Sequence, residues 1–189
     1  MLRPLLCLVL FASAQARAAE DLAERVIARL ASYPVVRAEF VQERMLPSLT
    51  RPVTSRGRMV LSREQGLLWQ VEEPVKVAMV FAASGATRHG AAQAEMGRLV
   101  RAILTGDLAE LRSSFALEPQ GELERWTIRL VPKARELAQY LRTIELAGGK
   151  HLEVIAIDEA SGERLVVRMR NFAVAAELEP AERKALSLP

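Results

Sequence analysis

Residues 36–43 read Val36-Arg37-Ala38-Glu39-Phe40-Val41-Gln42-Glu43, and this alternation decides the fold. Successive side chains of an extended chain point to opposite faces, so Val36, Ala38, Phe40 and Gln42 share one side and Arg37, Glu39, Val41 and Glu43 the other. A period of two over eight residues predicts a strand with one buried face. The same rule repeats downstream. After a proline-containing loop from Pro47 to Pro52, Gly57, Met59 and Leu61 alternate with Arg56, Arg58 and Val60, and Leu67, Trp69 and Val71 alternate with Leu68, Gln70 and Glu72. Gly66 marks the turn of that hairpin. Beyond Pro74, Val75, Val77, Met79 and Phe81 alternate with Lys76, Ala78, Val80 and Ala82. Four antiparallel strands in succession form a meander.

The flanking segments change period. Leu22, Val26, Ile27 and Leu30 place an amphipathic helix over Asp21 to Ser32, stopped by Pro34. Met96, Leu99, Val100, Ile103 and Leu104 form a second helical stripe that Gly106 ends, and Asp107 is positioned to cap a short helix through Leu111. Strands then resume over Trp126–Val131, Leu141–Leu146, Leu152–Ile157 and Leu165–Phe172, with turns at Gly148-Gly149 and Asp158–Gly162. Pro180 to Pro189 reads as a loosely attached tail. The order helix, strands, helices, strands predicts an α+β fold, one long antiparallel sheet with its helices gathered on one face.

Arg3, an apolar run from Leu5 to Ala14, and Ala16-Arg17-Ala18 form the three parts of a secretory signal with cleavage after Ala18. The run is about ten residues, half of what a membrane-spanning helix needs. Residues 1–18 are therefore expected to be a signal peptide and residues 19–189 a single domain working in the periplasm. Cys7 leaves with the signal, so the mature chain would hold no cysteine, and disulfides, thiol catalysis and thiolate metal sites are excluded. Cys7 also sits inside the run rather than after it, which argues against lipid anchoring. The full chain has 26 basic and 23 acidic residues, and loss of Arg3 and Arg17 leaves a net charge near +1. Basic and acidic residues are interspersed, so no stripe for nucleic acid is present.

No constellation suited to catalysis emerges. His89 lies in a glycine-rich loop and His151 begins a strand, and neither has a metal-ligating partner at short spacing; both read as solvated turn histidines. Ser84 and Ser161 each precede a glycine outside any nucleophile elbow. Gly148-Gly149 has no following helix and is not a phosphate loop. Glu72-Glu73, Glu122/Glu124 and Asp158-Glu159 read as strand ends and turns. The expectation is a protein that is not an enzyme and holds neither metal nor cofactor.

Phe40-x-Gln42, Ser55-x-Gly57, Arg63 with Leu68-Trp69, Pro74, Leu130-x-Pro132-Lys133, Asp158-x-x-x-Gly162 and Asn171-Phe172 occur in one order along the chain. In that order they resemble the periplasmic lipoprotein-carrier family, the LolA-type proteins, over most of residues 19–189. The resemblance implies a strongly curved, incomplete β-barrel with helices over its concave face and an acyl group held between sheet and lid. It implies an acylated lipoprotein or glycolipid cargo, an inner-membrane ABC-type exporter that loads it, an outer-membrane receptor that takes it, and a monomeric carrier. The lipid-binding residues are then the apolar strand faces, Phe40, Met59, Leu61, Trp69, Val71, Met79 and Phe81 with Trp126 and Ile128, and Met96, Leu99 and Ile103 from the lid helix. Methionines suit such a lining because they reshape around different cargo. The same residues would equally serve as an ordinary packed core. In the family an arginine at the position of Arg63, commonly followed by proline, latches the lid; here Glu64 follows, and the loop Ser84–Gly90 lacks the family's usual aromatic residues. The function expected is a carrier that shields a lipoprotein's acyl chains between the two membranes. The alternatives are a carrier of a glycolipid or other acylated product, or an interaction module with no cargo.

Overall fold

Central to the architecture is the strand that opens the alternation, because it is hydrogen-bonded on both sides. The computed structural model describes residues 21–82, Ala102 and residues 107–187. Nine strands are present among them: β1 (Val35–Met45), β2 (Val53–Ser62), β3 (Gly66–Glu73), β4 (Val77–Ala82), β5 (Phe115–Glu122), β6 (Arg125–Pro132), β7 (Leu141–Gly148), β8 (Leu152–Glu159) and β9 (Arg164–Ala175). They form one antiparallel sheet in the order β4-β3-β2-β1-β9-β8-β7-β6-β5. The chain thus makes two meanders, and the pairing of β1 with β9 joins them into one surface. The sheet is strongly curved and does not close, with β4 and β5 as its edges. Register shifts in the β1/β9, β2/β3 and β7/β8 pairs mark bulges, which bend and twist strands locally.

The expected α+β class is thus what the structure has, with one strand more than the periodicity reveals. β5 carries Pro119, Gly121 and a run of polar residues. Its place at the sheet edge explains this, since only one neighbour needs its backbone groups.

A helix over 21–31 buries Leu22, Ala23, Val26 and Ile27 against Trp126, Ile128, Leu130, Ile144 and Leu146 on the concave face of β6 and β7. Asp107 caps the next described helix, Leu108–Ser114, as its position suggests: its Oδ1 accepts the Glu110 N–H at 2.8 Å. That helix delivers Leu111 and Phe115 to the same cluster. A one-turn helix, Arg135–Ala138, connects β6 to β7.

One bulge sets the direction of side chains along β9. Arg37 pairs with Ala173 and Glu39 with Arg170, so Asn171 and Phe172 together oppose Ala38. Asn171 adopts φ 56°, the left-handed region that asparagine tolerates better than other side-chain-bearing residues. The extra residue inverts the alternation. Met169 and Phe172 both reach the concave cluster, while Ala175 turns outward.

The C-terminal residues correct an expectation. Pro180–Leu186 is a helix rather than a loose tail, with a capping box between Glu179 and Glu182 and proline in its first turn. It packs on the outer face of the sheet, where Leu178 and Leu186 are buried with Val35, Val60 and Leu68. Arg37 clamps it: its Nε and Nη2 donate to Glu182 Oε1 and Oε2 at 2.6 and 2.5 Å. Only four apolar residues, Ala181, Ala185, Leu186 and the preceding Leu178, mark this helix in the sequence, too few for a periodic stripe.

The hydrogen bonds from Arg37, helped by the Glu179 N–H and the Arg37 charge, hold the Glu182 carboxyl below its ordinary value despite partial burial. A depressed folded-state value makes the clamp's contribution complete above the unfolded carboxylate range and lost as pH falls through the folded-state value. Glu182→Gln should therefore cost about 1–3 kcal/mol at neutral pH. The cost should shrink toward zero on acidification, read from urea melts of both proteins across pH. At the β9 bulge, Asn171→Val should cost about 1–2 kcal/mol and Asn171→Gly under about 1 kcal/mol by the same measurement.

Candidate functional site

Seven of the residues singled out from the sequence meet on the concave face of β1–β4. Cross-strand registers make this a lattice: Met59 faces Ala38 and Trp69, Trp69 faces Met79, Leu67 faces Leu61 and Phe81, and Val71 faces Gly57 and Val77. Phe40, Met59 and Trp69 are buried, whereas Leu61, Val71, Met79 and Phe81 pack against the same cluster and remain partly exposed. Trp126 and Ile128 lie elsewhere. They are 2% and 1% exposed beneath the N-terminal helix, in a second cluster. The concave face therefore has two halves, one filled by Leu22, Val26 and Ile27, and one whose outermost apolar side chains are only half covered. Met96, Leu99 and Ile103 lie outside the described residues, as do His89 and Ser84.

The inner floor of the β1–β4 half is set by an aromatic pair. Phe40 and Trp69 stack with centroids 3.9 Å apart and planes 20° apart. Gly57 lies directly opposite Phe40 across the β1/β2 pair. A Cβ on Gly57 would stand 1.9 Å from the Gln70 carbonyl oxygen and 2.7 Å from Phe40 Cζ. The absence of a side chain at Gly57 is what lets the Phe40 ring lie down across β2 and reach Trp69.

Sequence reading missed several members of this face. Leu67, Val167 and Met169 belong to it by the alternation of β3 and β9, and Tyr33 and Phe172 border it. Phe172 was hidden by the bulge at Asn171. His151 also differs from a solvated turn residue. Its ring stacks on Phe172 at 4.6 Å and meets Tyr33 at 5.1 Å, and its Nδ1 is buried with no hydrogen-bond partner. Burial pushes the imidazole below the ordinary histidine value, with Glu153 opposing the shift and Lys150 adding to it. Tyr33 Oη donates to the Lys150 carbonyl at 3.3 Å and Trp126 Nε1 to the Gly149 carbonyl at 2.9 Å, so the Gly149–His151 turn is held by both clusters.

Arg63 is exposed in the β2–β3 turn, where its backbone N–H donates to the Pro34 carbonyl at 3.0 Å. Its guanidinium and the neighbouring Glu64 carry no side-chain hydrogen bond or ion pair among the described residues, and they do not pair with each other. The described residues contain no group of three or more histidine, cysteine, aspartate or glutamate side chains arranged to hold a metal ion.

Residues 13–176 match the model of a protein family described as outer membrane lipoprotein carrier protein LolA-like. No curated protein matches the chain. Among solved structures, the chain is similar to a LolA superfamily protein from Nitrosomonas europaea at 9% identity and a TM-score of 0.42, covering 86% of this chain and 96% of that one. It is similar to a DUF1329 family protein from Desulfovibrio piger at 13% identity and a TM-score of 0.40, covering 90% and 98%. It is also similar to a chain of the Pseudomonas aeruginosa MucA/MucB complex at 13% identity and a TM-score of 0.48, covering 91% of this chain and 61% of that one.

Gly57→Ala should force β2 and β3 apart or tilt Phe40 off Trp69, at a cost of about 3 kcal/mol. Denaturant melts monitored by tryptophan fluorescence will show it. Wild-type stability in the Gly57→Ala variant would mean that Phe40 does not depend on this gap.

Proposed function

We propose that this chain, which belongs to the family of LolA-like outer membrane lipoprotein carrier proteins, is a periplasmic carrier that shelters the acyl chains of a lipoprotein. Residues 1–18 direct export and are removed, and residues 19–189 work as a monomeric carrier domain. The observation that supports this reading most directly is the half-covered apolar face of β1–β4, with Leu61, Val71, Met79 and Phe81 above a floor of Phe40 and Trp69.

The energetics suit capture and release. Each CH₂ moved from water into such a face is worth about 0.8 kcal/mol, so a long acyl chain binds amply without any polar anchor. Residues half exposed in the unloaded protein lose little on release. Met59, Met79 and Met169 add side chains that repack around cargo of different shape. Met96, Leu99 and Ile103 complete the lining from the segment that follows β4, and Arg63 latches that segment through donors that nothing among the described residues uses. An inner-membrane ABC-type exporter and an outer-membrane receptor are the partners of this cycle. The second reading, a glycolipid or another acylated product carried by the same mechanism, is motivated by Glu64 in place of the family's proline and by the divergent loop Ser84–Gly90.

Protein purified gently after export should carry lipid or acylated protein detectable by mass spectrometry. A fluorescent fatty-acyl probe should bind the emptied protein and alter Trp69 emission in a Trp126→Phe background. Met79→Asp or Phe81→Asp should weaken the probe at least about ten-fold by placing a charge on the lining. Absence of both co-purified lipid and probe binding would sink the carrier reading and leave an interaction module. Arg63→Leu should prolong cargo retention or impair handover, and unchanged transfer kinetics would remove Arg63 from the mechanism.

A further inference from the structure

Seven large apolar side chains stand exposed among the described residues, and six of them sit at one end of the sheet. Met45, Leu49 and Val53 belong to the β1–β2 connection, Val75 and Val77 to the β3–β4 turn, and Tyr140 immediately precedes β7. The pairing puts these connections side by side. Met45 faces Arg164 at the start of β9, and the Tyr140 carbonyl accepts the Ala160 N–H just beyond β8 at 2.9 Å. Val174, the seventh, lies at the opposite end. Single exposed apolar residues are ordinary on a protein surface, but scatter would not gather six of seven on one rim. At about 4.8 Å per strand the rim runs roughly 30 Å along the sheet.

The charge on this rim leans toward cations. Residues 44–53, 73–77, 133–142 and 158–164 carry seven basic side chains against five acidic ones. Most of the acids are already engaged: Arg44 pairs with Glu159 at 3.3 Å and Glu163 at 2.8 Å, Arg164 with Asp158 at 3.1 Å, and Arg56 with Glu73 at 3.7 Å. Arg51 and Lys76, which flank Leu49 and Val75, have no ion pair among the described residues.

We infer that this rim is a membrane-docking edge that seats the protein on a bilayer surface containing anionic phospholipid. Leu49, Val75 and Tyr140 enter the headgroup boundary and Arg51 and Lys76 meet the phosphates. A row of separate apolar tips on turns, interleaved with long cations, suits an interface in which rings and stems sit at headgroup level. Along the chain its exposed tips alternate with Arg51, Lys76 and other polar residues, unlike the charge-depleted centre of a protein interface. No helix among the described residues is long and apolar enough to cross a membrane, so the contact is one of surface seating. The rim also leads into the candidate cargo face, because Val77 pairs with Val71, and Trp69 with Met79 beside them. This edge goes beyond the carrier reading and holds whatever the cargo is.

Sedimentation of the full chain with vesicles tests it, using phosphatidylethanolamine with phosphatidylglycerol against phosphatidylcholine alone. The wild type should bind the anionic vesicles and be released by salt. Arg51→Glu with Lys76→Glu should weaken binding about five-fold per cation. Leu49→Asp with Val75→Asp should weaken it at least about ten-fold. Val174→Asp, at the far end, should bind like the wild type, and all variants should keep the wild-type melting temperature and acyl-probe affinity. Equal binding by wild type and rim variants overturns the inference. So does a wild type that ignores lipid vesicles yet loses capture on native membranes when the rim is changed, which would make the edge a protein-docking surface.

Discussion

The Phe40 ring lying over Gly57 and against Trp69 is the contact on which the rest of the molecule depends. Phe40 is carried by β1, the strand of the first meander that pairs with the second, with β2 on one side and β9 on the other. Phe40 is opposed by Gly57 on one flank and Met169 on the other. Its ring therefore ties the first meander to the last strand while its backbone does the same through hydrogen bonds. A bulky residue at position 57 would separate these two roles. The ring would have to leave the face or the strands would have to part.

Given that anchor, the two halves of the concave face diverge for a simple reason of supply. The helix over 21–31 offers Leu22, Ala23, Val26 and Ile27, which cover β6 and β7 until Trp126, Ile128 and Leu130 are almost wholly buried. Nothing comparable among the described residues covers Leu61, Val71, Met79 and Phe81. The outer face is organised by charge instead. Arg58 with Glu72, Arg168 with Glu43 and Arg170 with Glu39 bridge neighbouring strands. Exposed pairs of this kind add little stability individually; they flank Val41 and Val166 on the outer face of β1 and β9, while the C-terminal helix seals Val35, Val60 and Leu68.

What the sequence made legible follows from how local each signal is. Alternation in β1–β4 is written in consecutive residues, so the strands and seven members of the apolar face could be read directly. The same rule failed for Phe172, because one left-handed residue at Asn171 inverts the parity and no periodicity announces it. β5 escaped because an edge strand tolerates proline and glycine. The C-terminal helix escaped because it is held by a distant partner, Arg37, rather than by its own apolar stripe. His151 read as solvent-exposed because its neighbours Gly149 and Lys150 are turn-like. Only the fold brings Tyr33 and Phe172 to its ring. Trp126 and Ile128 face inward as their alternation suggests, but which half of the face they join depends on where the first helix lies.

The arrangement of strands also explains why the exposed apolar rim and the half-covered face are continuous. In a meander, alternate connections lie at the same end, so the β1–β2 loop, the β3–β4 turn, the β8–β9 turn and the approach to β7 share one rim. Side chains on the concave face of β2 and β4 that extend past the last buried layer must emerge there. Val53 is on the same side of β2 as Gly57 and Met59, and Val77 on the same side of β4 as Met79 and Phe81. The apolar face that carries Met79 and Val71 therefore runs out to the rim through Val77. The β2–β3 turn bearing Arg63 lies at the opposite end of the same strands. The length of β2 thus separates that turn from the exposed apolar rim.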